Sequence, residues 1–600
     1  MVSPVQSTHI KYFAGSWAAA MAVFHMLMGN FLPNGCGRMG HDYAYFLPRL
    51  LDGYYWWTQN GFFSIPWFTP SFMGGSPFFA NPQSMYHSVP QALTLLMDPV
   101  SAARVTVLVF AAAGFAGFYA LLAGPFRLSP PVCVFGAVLF MFNGFYISRM
   151  LIGHFAFHSF ALTPWIVFFL VRQGAGWPAA LRDAALAALM LTYMVSSGGL
   201  AIAPVMVTAV LAAGLSHAAV FGGTRGFVLR YTLAGIISLG LSAARLMAVS
   251  SFLSNFPREG SVPLVRDFLG VVYILISTMF LPTDGKVESS LMAGKRYFIG
   301  PHEFDYSVSP VPALLLAAGG YLALRRLGYA GALWRLSGAW GAAAAALLLL
   351  GAIPLILNYQ SWVAEALHGS VPVLENSSTH LRWFAIYIPS LIILAAVVLD
   401  SLKPFADSKV FYVDAAVLIL AVSGLARSWD YYRGQEYPVR SVTAAYQKAA
   451  SSGFVPRIEH ISHPGPDVRR ETVMELLSAG AMFTIGVSSG KSYEPVFGYR
   501  LEKLPPGGLS PGKAMSENGG FLNLRNPACF VYPEENGCRP GDRFTSAQRA
   551  EAEMFRSYRQ FEFNVPFRQK AANMISMVFM PLTLFFLSAP WLARLRRGGG

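Results

Sequence analysis

The stretch Gly40-His41-Asp42-Tyr43 sets an imidazole beside a carboxylate a few residues past the first long apolar run of the chain. A carboxylate so placed can take a proton from a hydroxyl, and the imidazole beside it can hold a substrate oxygen. If the apolar run carries the chain outward, Asp42 lies at the outer surface of a membrane, where water-soluble and lipid-borne molecules meet. A plainer role is also open to it. Asp is a favoured N-cap, and an apolar face at Phe46, Leu47, Leu50, Leu51 and Tyr54 follows at helical spacing. Arg49 and Asp52 fall off that face, so the helix is expected to lie along the membrane. Trp56, Trp57, Phe62, Phe63, Trp67 and Phe68 follow as aromatics suited to the headgroup level.

Further along, Arg149 and His154 stand in an otherwise apolar connection at 143–157, where polar groups are costly and tend to be paired or functional. His154 could bond a substrate hydroxyl or phosphate, or be satisfied by a neighbouring helix. Its spacing of four to His158 matches two metal ligands on one helix turn, but no Glu stands between them in HExxH order. Arg258 and Arg382 each open or close an apolar run and suit a lipid phosphate, since a guanidinium donates several charge-assisted hydrogen bonds. Pairing with Glu259 for the first, and snorkelling for the second, are the plain readings. His302-Glu303-Phe304-Asp305 offers nitrogen and oxygen ligands for a divalent cation, or is a hydrated loop.

The elements that must position these groups are membrane spans. With 54% hydrophobic and 12% charged residues, and a mean hydropathy of +0.46, the chain cannot fold in water without exposing apolar surface. About twelve segments approach the ~20 apolar residues that ~30 Å of hydrocarbon requires: 12–32, 103–123, 131–148, 156–172, 179–196, 200–221, 228–250, 309–325, 338–357, 382–400, 409–426 and 572–593. The first has no small-residue cleavage site at its far end and reads as an anchor. The run Phe268 to Leu281 is too short to cross and is expected to lie on the surface or re-enter.

Arg127, Arg172, Arg182, Arg225, Arg230, Arg325, Arg326, Arg335, Lys403 and Lys409 fall at alternate connections, and Arg594, Arg596 and Arg597 follow the last span. One phase therefore fits every turn, with both ends inside. The net charge of +14 is thus explained by topology and gives no reason to invoke nucleic acid. The large segments 33–102, 251–308, 358–381 and 427–571 then face outward, and loops of that kind carry chemistry while spans hold them in place.

The expected organisation is mainly α: a polytopic bundle over 1–426, an extracytoplasmic mixed α/β domain over 427–571, and a last span with a basic tail over 572–600. Within that domain Thr545-Ser546-Ala547-Gln548 reads as a capping box opening a helix through about Tyr558. Phe521 to Tyr532 is strand-like, and Ser492 to Arg500 sets aromatics beside charge. Cys529 and Cys538 are a candidate disulfide if they face an oxidising compartment. No CxxC pair and no Gly-rich nucleotide fingerprint occurs.

One span, an outer loop with Asp42 and membrane-lying helices, about ten more spans and an outer domain: this layout resembles the bacterial GT-C glycosyltransferases, which use sugars on polyprenyl-phosphate carriers. The resemblance covers most of the chain in architecture, and residues 40–86 with a few loop positions in motif. His41-Asp42 lacks the second carboxylate of a DxD. The resemblance implies a multi-pass protein of a bacterial inner membrane, acting outside the cytoplasm. The resemblance gives the role of base to Asp42 alone; by their own chemistry His41, His154, Arg258 and Arg382 would hold the substrate. The partners implied are a polyprenyl-phosphate-linked sugar, a glycan, lipid or protein acceptor, and membrane lipid. A divalent cation at His302, Glu303 and Asp305 is the one cofactor to consider. Transport or flipping of a lipid-linked molecule is the rival expectation, although the spans hold few acids and show no repeat.

Overall fold

The computed structural model describes residues 4–598 except 173–175, 257–261, 263, 282, 294–298, 335–338, 372–373, 375–376, 378, 402–407, 427–428, 463–478 and 491–507. Arg258 and the cluster Ser492 to Arg500 therefore lie outside the described residues. The fold is mainly helical, with short strands concentrated in the C-terminal half. Among the described residues, seven helices are long and apolar enough to cross a membrane: Pro99–Ala123, Pro130–Ile152, Gly176–Ser196, Ala203–Phe221, Thr224–Asn255, His380–Ser401 and Phe567–Trp591. Shorter apolar helices lie at Phe155–Val171, Phe268–Phe280, Val311–Leu322, Ala346–Asn358 and Val413–Val422. The protein is a multi-pass membrane protein. The run Phe268 to Leu281, expected to be too short to cross, forms a helix of 13 residues.

The helices meet in neighbouring groups. Pro4–Met28 and Pro99–Ala123 pack on Pro130–Met141, while Gly176–Ser196, Thr224–Asn255 and Phe567–Gly598 pack on one another. A continuous apolar core runs through the bundle from Phe24 and Phe115 to Ile392. Connections sort into two sets. Ser129 donates to Asp400, Arg230 to the Leu170 carbonyl, and Arg172 pairs with Asp183. The first two join connections expected on a single side, and the third closes one connection of that side. The segments expected on the other side meet one another around Asp42.

The helix Tyr43–Asn60 corrects one expectation. Its spacing marks one apolar face, but both faces are buried, Arg49 and Asp52 included. Tyr43, Phe46, Leu47 and Leu50 pack into the bundle core. Leu51 and Tyr55 pack on the other side into a second apolar core, with Phe68, Phe72, Val442, Ile458, Leu522, Phe544 and Phe555. The aromatics that follow divide: Trp56 and Trp57 are buried with Phe78 and Tyr86, whereas Phe62 and Phe63 stay exposed.

The second core carries two small sheets. Phe521–Arg525 pairs antiparallel with Arg543–Thr545 and with Glu517–Asn518. His460–Ser462 runs parallel to Val487–Ser489 and antiparallel to Gly512–Lys513. The capping box at Thr545 and Gln548 is formed and leads into the helix Arg549–Arg556. Of the strand-like stretch, Phe521–Arg525 is a strand and Ala528–Val531 a helical turn. Cys529 and Cys538 are bonded, with their Cα atoms 5.9 Å apart.

Candidate functional site

Two glycines allow the backbone contact from which the site is built. The helix Gly144–Ile152 starts at Asn143, whose side chain accepts from the Tyr146 amide, and ends at Gly153 in the left-handed region, φ 102°. Its last turn lies directly on residues 40–43, where the Asp42 amide donates to the Ile152 carbonyl at 3.1 Å. A Cβ on Gly40 would come within 2.0 Å of that carbonyl oxygen, and one on Gly153 within 2.4 Å of the Tyr43 amide nitrogen. The Tyr43 hydroxyl donates to the Met150 carbonyl at 2.7 Å and closes the junction.

This contact sets Asp42 against His154. Asp42 stands where an N-cap would, but its side chain caps no amide of the following helix. Its Oδ2 instead lies 2.8 Å from His154 Nε2, and its Oδ1 3.4 Å from His41 Nε2. His41 is held from behind by Gln435 at 2.6 Å. Asp42 is 5% exposed. The side chains that contact it, His41 and His154, are 30% and 18% exposed.

Burial alone would raise the pKa of Asp42, but the imidazoles of His41, His154 and His302 outweigh it and hold the carboxyl below the usual carboxylate range. His154 is pushed the opposite way, below its ordinary value, by burial and then by the guanidinium charges of Arg149 and Arg382. It is therefore neutral near pH 7. One tautomer satisfies both its contacts: Nε2–H donates to Asp42, and Nδ1 accepts from Arg149 Nη1 at 3.4 Å.

Behind His154 is a charge group of three members, two arginines and one glutamate. Fully buried Arg149 donates to Glu303 Oε2 at 2.8 Å, and Arg382 donates to Oε1 at 2.6 Å. Glu303 is presented by the 3₁₀ turn Pro301–Phe304, and Arg382 by the 3₁₀ segment His380–Ile386. Burial opposes ionisation of Glu303, and the two guanidiniums overcome it, holding the carboxyl well below its ordinary value. His302 stacks against Tyr431 and lies edge-on to His154 with ring centres 5.1 Å apart.

Of the residues singled out in the sequence, His41, Asp42, His154, His302, Glu303 and Arg382 are brought together. Asp305 turns aside: its Oδ1 accepts from the Ser307 amide at 3.4 Å and occupies the space beside Gly144, and burial raises its pKa to about 6. His158 is also apart, bonded to the Phe155 carbonyl and the Tyr193 hydroxyl. Donor atoms of His154, His302 and Glu303 all lie within 4.8 Å of one another, a group that could surround a metal ion. The donor set fits one poorly, because both Glu303 oxygens are engaged by guanidiniums and a dication would face Arg149 and Arg382.

Arg149, Gln435 and Tyr431 are the members that the sequence reading did not rank. Arg149 carried a signal, a cation at the end of an apolar span. Gln435 and Tyr431 carried none, since only folding brings residues 431 and 435 to residue 41 and residue 302.

No family model and no curated protein matches the chain. Among solved structures, the cryo-EM structure of the arabinofuranosyltransferase AftD from Mycobacteria is similar at 15% identity and a TM-score of 0.40, over 76% of this chain and 29% of that one. The chain thus spans less than a third of that protein's length.

Proposed function

We propose that this chain is an inverting glycosyltransferase that moves a sugar from a polyprenyl-phosphate carrier to an acceptor hydroxyl at the outer membrane face. The observation that carries the reading is the 2.8 Å contact between Asp42 and His154, beside a pair of arginines that share one glutamate. A sugar on a lipid phosphate already has a charged leaving group. The protein must then deprotonate the acceptor, align it and receive the phosphate.

Asp42 is the base. Its ionised carboxylate takes the hydroxyl proton as the acceptor oxygen bonds to the anomeric carbon and the bond from that carbon to the phosphate oxygen breaks. His154, oriented by Arg149, fixes the carboxylate by donating to Oδ2. Arg382 receives the departing phosphate, moving from one Glu303 oxygen to a phosphate oxygen at little electrostatic cost. His41 and, from the segment 257–261, Arg258 bind the substrate. A single displacement inverts the anomeric centre, as in single-step glycoside hydrolysis.

The meeting of segments 33–43, 143–157, 301–306, 380–386 and 429–435 at one cluster supports a common side for them. The Cys529–Cys538 bond supports that side being outside, in an oxidising compartment such as a bacterial periplasm. On this reading 427–571 is an extracytoplasmic domain covering the site. The rival, a flippase for lipid-linked cargo, has one observation of its own: Asp414 in the helix Ser408–Ala426, with Oδ1 buried and without a partner among the described residues. Purified protein incubated with defined polyprenyl-phosphate sugars separates the two. New glycosidic bonds that disappear in Asp42→Asn support the transferase, whereas cargo crossing vesicles with no new bond supports the flippase.

A further inference from the structure

A cleft of about 630 Å³ is lined by Tyr273, Ser277, Leu281, Thr283, Asp284 and Glu288. The elements that line it are joined to the segment that carries His302 and Glu303. The Thr278 and Met279 carbonyls accept from the Tyr306 and Val308 amides at 3.2 and 2.9 Å. Gly285, at φ 74°, packs so tightly on Phe304 that a Cβ would come within 2.6 Å of its ring.

The lining combines three chemistries. Tyr273 offers a ring that is 45% exposed. Thr283 accepts from the Gly285 amide at 3.0 Å, which leaves its O–H to donate, while Ser277 donates to the Ile274 carbonyl and keeps its lone pairs. Glu288 is 2% exposed, and its Oε2 has no hydrogen-bond partner among the described residues, a costly state for a buried acceptor. Asp284 at the mouth pairs with Lys286 at 3.0 Å.

An exposed aromatic face, hydroxyls of both hydrogen-bonding senses and carboxylates that accept only are the groups that recognise a polyol ring. The ring's C–H face packs on the aromatic, and its adjacent O–H groups donate to the acids. The size lies within the roughly 300–1,000 Å³ usual for ligand clefts. We propose that this cleft is the acceptor subsite, holding sugar units of a neutral oligosaccharide at a distance from the hydroxyl that reacts. The acids disfavour uronate or phosphorylated glycans. This inference rests on the glycosyl-transfer reading and names its acceptor class. Units bound here raise the effective concentration of the reacting hydroxyl at Asp42 without touching it.

The test titrates fluorescent gluco-, manno-, galacto- and arabino-tetrasaccharides, with a hexuronate tetrasaccharide as the anionic control, into the full chain in detergent. At least one neutral probe is expected to bind, and the uronate to fail. Tyr273→Ala and Glu288→Gln should each weaken binding about tenfold, Tyr273→Phe should not, and all should unfold at the wild-type temperature. In transfer assays the first two raise the acceptor KM and leave kcat unchanged. Asp42→Asn should bind the probe as wild type does, so loss of the catalytic reading and loss of the subsite are read separately. Failure of every neutral probe, equal binding by the variants, or a divalent cation bound through Glu288 without any sugar would overturn the subsite.

Discussion

Asp42 and Asp52 sit at the start and in the middle of one helical segment, 5% and 1% exposed, yet their surroundings push them in opposite directions. Around Asp42 are the imidazoles of His41, His154 and His302, and the carboxyl is held below the usual range. Around Asp52 are hydroxyls: Thr69 donates to its Oδ1 at 2.8 Å and Ser71 also donates, with Ser71 in turn 2.8 Å from the Tyr558 hydroxyl. Burial dominates there and raises the pKa of Asp52 to about 7 despite the hydroxyls and Arg49. The first carboxyl is an ionised group beside partly exposed imidazoles, and the second a protonatable tie between the loop and the C-terminal segment. Equal burial thus leaves two carboxyls in opposite states, according to whether imidazoles or only hydroxyls and one guanidinium face them.

The sharpest way to break this contrast is to neutralise each acid. Asp42→Asn is expected to lower kcat for transfer by about 10³-fold or more, while Asp52→Asn stays within about threefold of wild type. Equal losses would mean that the two acids share a structural role. His154→Ala is the next largest effect, a fall of roughly 10²-fold in kcat. If His154 positions Asp42 as proposed, the acid limb of the pH–rate profile should also move up toward the ordinary carboxylate range. An unmoved limb would separate His154 from the base. Arg382→Lys loses the planar fork and should cost about tenfold in kcat with a smaller change in donor KM.

The same pair differs in how pH acts on stability. Asp52 in the folded protein keeps a proton between its ordinary pKa of 3.8 and about 7 that the unfolded chain has released. Stability should therefore fall as pH rises through that window, by roughly 1.4 kcal/mol per pH unit at most. Asp42, depressed instead, contributes stability that is present above its ordinary value and is lost as pH falls below it. Thermal unfolding of wild type and Asp52→Asn from pH 4 to pH 8 checks the sign: the variant should lose the share of the slope between about pH 6 and 7, while Asp305, raised to about 6, keeps its own share below that. A smaller effect is expected of Cys529→Ser with Cys538→Ser, a loss of about 2 kcal/mol for a short closed loop, read as a lower unfolding temperature.

The sequence made the helical membrane architecture legible, because long apolar runs admit few alternatives. It also exposed most members of the cluster, since His154, Glu303 and Arg382 are polar groups where polarity is costly. Helical spacing places Arg49 and Asp52 off the apolar face but cannot reveal that a second layer covers the far side of Tyr43–Asn60 and buries them. Nor could it separate Asp305 from Glu303, because a 3₁₀ turn at Pro301–Phe304 sends the two carboxyls apart. Gln435 was beyond reach for the same reason as any long-range contact: nothing near it in the chain refers to His41.

The most direct measurement is sugar transfer from a defined polyprenyl phosphate by the purified chain, comparing wild type with Asp42→Asn at matched unfolding temperature. The account predicts an inverted glycosidic product from wild type and essentially none from the variant. Transfer at the wild-type rate by a folded Asp42→Asn protein would contradict it.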